Sequence, residues 1–112
     1  MFRPSLGLIV HELVTNSAKH GALSVPEGRL KISGSVAKGL FTFVWQETGG
    51  PPAREPARKG LGHIILHDVA RDFCERVEAT YAEAGFRYEL AARIEKLTSN
   101  VIDLAERRSS EG

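Results

Sequence analysis

The sequence predicts an α+β fold, a two-layer sandwich with helices on one face of an antiparallel or mixed sheet. Three observations predict it. Two pairs of strand-like segments each close on a short turn, so each pair is a hairpin. Two segments with helical apolar spacing stand before and between those pairs. One strand is apolar on both faces, which places it inside a sheet. A chain of 112 residues holds one compact domain with a modest core.

The elements follow in order. Residues 5–22 read as a helix, with Ser5 as N-cap and Leu6, Ile9, Val10, Leu13, Val14 and Ser17 along one stripe. Gly21 supplies the stop. Pro26-Glu27-Gly28 is a turn. In RLKISGSV, Leu30, Ile32, Gly34 and Val36 alternate with more polar residues, the pattern of a half-buried strand. Ala37-Lys38-Gly39 reverses the chain into LFTFVWQE, where Phe41, Phe43 and Trp45 face one way and Leu40, Thr42 and Val44 the other. The stretch TGGPPAREPARKGLG has little to pack and reads as a long functional loop. A second helix over 62–73 has Ile64, Ile65, Leu66, Val69 and Phe73 as its apolar set. RVEATYA and FRYELAARI flank Glu83-Ala84-Gly85 as the second hairpin. A polar helix is expected from Glu95 to Arg108, with Leu97, Val101, Leu104 and Ala105 on one stripe. The domain is placed at 1–94 and the tail at 95–112.

Composition excludes several classes. Apolar residues are 42% and charged residues 26%, a globular balance. Fifteen basic side chains oppose fourteen acidic ones, a net charge of +1, so no global field favours nucleic acid or a membrane surface. The single Cys74 rules out an internal disulfide and points to a reducing compartment. No apolar run approaches the ~20 residues of a membrane span, and the N-terminus does not read as a signal peptide. A cytoplasmic location is the expectation.

The first helix carries the most chemistry. Glu12 and Asn16 are four residues apart and share a face, with Lys19 on the same side and His20 beside it. An acid, an amide, a cation and an imidazole suit a magnesium–phosphate site, since a hard cation takes oxygen ligands and a lysine holds phosphate as a point charge. Taken alone, the same face reads first as the solvated side of an amphipathic helix. Glu47 ends the central strand, where a carboxylate can accept from an exocyclic amine such as that of adenine. Thr48-Gly49-Gly50 follows it, and such glycines let a ligand approach the backbone. Gly60-Leu61-Gly62 opens the second helix, where free N–H groups favour an anion. Each glycine pair alone is also an ordinary surface turn.

Other motifs fail. His11-Glu12 begins like a zinc-protease helix, but Thr15 stands where the second histidine belongs. His63 and His67 are four apart, yet no third metal ligand accompanies them. Gly60-Leu61-Gly62 lacks the third glycine of a dinucleotide fingerprint, with Ile65 in its place. Cys74 reads as a core thiol. Phe41, Phe43 and Trp45 read as core, because no arginine interleaves with them as in a base-stacking platform.

Three segments together resemble a known family. HELVTNSAKHGALS is similar to the asparagine box of the HWE group of bacterial sensor histidine kinases. WQETGGPP resembles that group's tryptophan–glutamate motif running into its first glycine box, and KGLGHIIL its second glycine box. Their order and spacing also fit, with a short lid, and VEATYAEAGFRYEL resembles the end of the same domain. The group's initials fall on His11, Trp45 and Glu47.

The resemblance implies a GHKL (Bergerat-type) ATP-binding fold, with a helix layer on a mixed sheet and ATP and Mg2+ as cofactors. Asn16 would bind magnesium. Glu12 would orient a water or serve as a base. Lys19 and His20 would lie near phosphate or ribose, Glu47 would read the adenine amine, and Gly49, Gly60 and Gly62 would shape the lid and phosphate loop. The implied partners are a phosphoacceptor histidine domain in cis or in trans and a response regulator, with a homodimer among the allowed assemblies. No nucleic-acid or membrane contact is implied. The family's phosphoacceptor hairpin is not expected within these residues, and the first strand reads as missing or reduced to Met1-Phe2-Arg3. The alternatives are a degenerate module that docks a regulator or kinase and, more distantly, an anti-sigma-type serine kinase.

Overall fold

A computed structural model describes residues 6–56 and 60–96. The first helix, α1, spans Leu6–His20 and buries Ile9, Leu13 and Ser17. The Ser5 cap lies outside the described residues. After Gly21 the chain makes a single 3₁₀ turn, Ala22–Ser24, before strand β1, Arg29–Ala37. Strand β2 follows at Leu40–Thr48. Both turn residues between them, Lys38 and Gly39, have positive φ (53° and 77°), the backbone twist that matches a two-residue hairpin. The second helix opens in α geometry at Leu61–His63 and continues in π geometry over Ile64–Val69. Strands β3, Arg76–Ala82, and β4, Gly85–Arg93, complete the sheet. The expected tail helix lies, beyond Lys96, outside the described residues.

The strand order is β1-β2-β4-β3, and every pairing is antiparallel. The α+β layout is as expected, and of the antiparallel and mixed alternatives the described strands form the antiparallel one. The reason is local: two pairings are hairpins, and β4 returns beside β2 in the opposite sense. β2 occupies an inner position, as its two-sided apolar pattern required.

The core lies between the helices and one face of the sheet. Ile9 and Leu13 of α1, Leu66, Ala70 and Phe73, and Phe43, Trp45, Tyr88 and Leu90 of the central strands form one cluster. The Tyr88 hydroxyl donates to the Leu66 carbonyl at 2.6 Å, so the π segment is tied to β4 by a buried hydrogen bond. Ile64, expected in the core, is 43% exposed, and Ala70 is buried. β1 departs from expectation too. Its alternation is real, but it is an edge strand: Ile32 and Val36 pair with Trp45 and Phe41 and so share the core face, yet they are 53% and 60% exposed because that face is left uncovered at this edge.

Cys74 is half-buried against the core, as the sequence indicated. Burial pushes its thiol up to about 11. The expected result is slow reaction with a disulfide reagent at pH 8 in the folded protein and full reaction in denaturant, because the thiolate is the nucleophile. Rapid labelling without denaturant would contradict this placement.

Candidate functional site

A cavity of about 570 Å³ opens between α1, the start of the second helix, the loop after β2 and the β3–β4 hairpin. This is within the range of small-molecule sites. Its α1 wall is Glu12, Asn16, Ser17 and His20; Glu47 and Thr48 of β2 line it, and Gly60, Gly62 and His63 bring in the second helix. Gly50, Pro51, Pro52, Arg54 and Glu55 of the loop, with Tyr81, Gly85 and Phe86, also line it. The Ala53 amide donates to the Ala82 carbonyl at 2.9 Å, which fastens the loop to the end of β3.

Six of the eight sequence-predicted residues meet here: Glu12, Asn16, His20, Glu47, Gly60 and Gly62. Lys19 is exposed and does not line the cavity. Gly49 does not line it either. Its φ is +75°, and a Cβ there would lie 2.6 Å from the Glu27 carbonyl oxygen, so its place is a turn packed on the Glu27–Gly28 backbone. The neighbouring Gly50 reaches the cavity instead.

Gly62 brings the two helices together. A Cβ on it would come within 2.5 Å of Glu12 Oε2 and 3.7 Å of Asn16 Nδ2. A side chain there would have to push the Glu12 carboxylate aside. Around Gly60, by contrast, nothing lies within 4 Å of the place a Cβ would take, so that backbone faces open space.

Glu47 is 4% exposed and held from two sides. Trp45 Nε1–H donates to Oε2 at 2.6 Å, and the Ala22 amide donates to Oε1 at 2.8 Å. Ser17 Oγ accepts from the Leu23 amide at 3.1 Å, which secures the same 3₁₀ turn to α1. Sequence reasoning missed this clamp, because Ala22 and Glu47 are far apart in the chain. It also missed Gly21, Gly85, Tyr81, Phe86, Arg54 and His63 as cavity residues. The glycine after α1 was a signal read only as a helix stop.

The rings of His63 and His67 lie against each other, tilted by 31°, with centroids 4.2 Å apart. Among the described residues no group of three or more His, Cys, Asp or Glu could hold a metal, so the pair has no third ligand there. The pKa of His67 lies below 6.5, through burial first and then the neighbouring His63 and Arg71 charges. A depressed histidine pKa means that the unfolded chain binds the proton more readily, so stability falls as pH drops through about 6.5. The melting temperature is expected to fall between pH 7.5 and 5.5, and His67→Gln should reduce that fall. An unchanged fall would show that His67 is not its source.

No family model matches the chain. Blue-light-activated histidine kinase 1 of Erythrobacter litoralis is 41% identical over 90 residues, covering 77% of this chain and 25% of that protein. The blue-light-activated histidine kinase of Brucella ovis is 33% identical over 95 residues, covering 80% of this chain and 19% of that protein. The histidine kinase domain of an Erythrobacter litoralis blue-light-activated kinase superposes with a TM-score of 0.67 at 18% identity, over 84% of this chain and 48% of that one. The chain belongs to the HWE-type histidine kinase family. It spans a quarter or less of the length of these curated relatives. The family's asparagine-box, tryptophan–glutamate and second glycine-box segments are the segments that converge on the cavity. Among the described residues no helix is long and apolar enough to cross a membrane.

Proposed function

We propose that the chain is the ATP-binding catalytic domain of a histidine kinase, transferring the γ-phosphoryl of ATP to a histidine on a separate domain or chain in two-component signalling. One observation carries the reading: three separated motifs close on one cavity, with Glu12, Asn16 and Gly62 at one wall and Glu47 at another.

The residues fit the cofactors. Asn16 and Glu12 offer the oxygen donors that a hard cation takes. Without a cluster of protein ligands among the described residues, Mg2+ here would be shared with phosphates and water. Asn16 is the proposed magnesium ligand, and Glu12 the residue that orients a water or takes a proton at the transfer step. His20 would lie toward phosphate or ribose. The Glu47 carboxylate would accept from the adenine amine, and Gly60 and Gly62 would keep the backbone close to the phosphates. The magnesium ion would neutralise phosphate charge, and the protein's share is positioning. The proposed partners are a phosphoacceptor histidine domain, in cis or in trans, and a response regulator.

Mg2+–ATP is expected to raise the melting temperature. A ligand that binds only the folded state at a hundredfold excess over its dissociation constant stabilises by about 2.7 kcal/mol. A folded sample with no shift in millimolar nucleotide would replace this reading with the docking module.

A further inference from the structure

We infer that Trp45 is a positioning residue that sets the preference of the site for an amino purine over an oxo purine, acting through Glu47. The inference rests on the nucleotide reading above and goes beyond it, because Trp45 is 0% exposed and does not line the cavity. Whatever it does to a ligand it must do through a neighbour.

The geometry names that neighbour. Trp45 and Glu47 are two apart on β2, so both side chains leave the same face of the strand. The indole N–H donates to Oε2 at 2.6 Å, while the Ala22 amide donates to Oε1 at 2.8 Å. Behind Oε1 stands Gly21, where a Cβ would come within 2.2 Å of that oxygen. The carboxylate is therefore fixed at both oxygens and reaches the cavity in one orientation.

An ionised carboxylate only accepts hydrogen bonds, and each oxygen keeps further lone-pair capacity after one bond. Both of its oxygens are already held by N–H donors, so it needs no reorganisation when a base arrives. Such a group favours a ligand that presents an N–H at the six position of a purine. It disfavours one that presents a carbonyl there, since two acceptors then face each other. Removing the indole donor frees the carboxylate to turn, and the discrimination drops. Contacts to ribose and phosphates should be unaffected, because Trp45 does not line the cavity.

The test compares ATP with inosine triphosphate, in which a carbonyl replaces the six-position amine and N1 carries a proton, by titration calorimetry with Mg2+. The wild-type chain is expected to prefer ATP. Trp45→Phe retains an aromatic ring and lacks the donor. It should reduce the preference about tenfold, in line with a hydrogen bond to a charged group, while the affinity for inosine triphosphate stays within about twofold. A folded Trp45→Phe with the wild-type ratio would overturn the inference and leave the nucleotide site standing. Failure of the wild type to bind either nucleotide would overturn both readings, and equal affinity for the two would remove the base-reading role of Glu47 and this inference with it. Should Trp45→Phe not fold, the wild-type chain supplies the second measurement. Trp45 is its single tryptophan, so its indole N–H gives one NMR signal. That signal should move on Glu47→Gln and on ATP, and hold still on inosine triphosphate. An indole proton that ignores ATP at saturation would overturn the inference.

Discussion

Gly85→Ala is expected to destabilise the domain by about 2–5 kcal/mol, a large effect for the addition of a single methyl group. Gly85 has φ +146°, a conformation that side-chain-bearing residues rarely adopt. A Cβ there would lie 1.9 Å from the Glu47 carbonyl oxygen and 2.6 Å from its carbonyl carbon. Those are backbone atoms of an inner strand, so they have no rotamer by which to move aside. The cost is a large part of the ~5–15 kcal/mol that stabilises an ordinary domain. In a chain of this size it lowers the melting temperature by roughly 10–25 °C. Gly60→Ala is the control, because nothing lies within 4 Å of its added carbon. It should melt close to wild type. Equal melting of the two variants would contradict the packing described for the β3–β4 hairpin.

Glu12→Gln carries the largest expected effect on activity. If Glu12 orients a water or takes a proton, its loss should lower transfer to a phosphoacceptor domain supplied in trans by about 10²–10⁴-fold. Nucleotide affinity should change little, because the effect belongs to the transfer step. The side chain lies against the Gly62 backbone on the cavity side of α1, away from the Ile9 and Leu13 stripe, so the melting temperature should hold. The check is a rate of label transfer from ATP, with affinity and melting measured on the same sample. A transfer rate equal to wild type would return Glu12 to the role of a solvated side chain.

Much of this was legible in the sequence, and the limits are physical. The two-sided apolar pattern of LFTFVWQE gave β2 its inner position, since only a strand covered on both sides tolerates it. Helical periodicity put Glu12 and Asn16 on one face, and both reach the cavity. Local pattern could not give the π geometry of Ile64–Val69 or the buried bond from the Tyr88 hydroxyl to the Leu66 carbonyl. Nor could it foresee that the helices leave Ile32 and Val36 uncovered, because alternation tells which residues share a face and not what covers it. The clamp on Glu47 joins residues from α1's end and β2, a contact that exists only after folding. Lys19 fell outside the cavity because the α1 wall follows Glu12, Asn16 and His20 at four-residue steps, and Lys19 lies about 100° to the side of His20.

Asn16, Glu12 and Glu47 are proposed to belong to one magnesium-dependent nucleotide site. Calorimetric titration of a non-hydrolysable ATP analogue, with and without Mg2+, on wild type and Asn16→Ala tests this most directly. Wild type is expected to bind the analogue, and Mg2+ to strengthen that binding. Asn16→Ala should lose most of the strengthening while its metal-free affinity stays near wild type. Equal affinities of the two proteins in Mg2+, or no binding by folded wild type, would contradict a shared site.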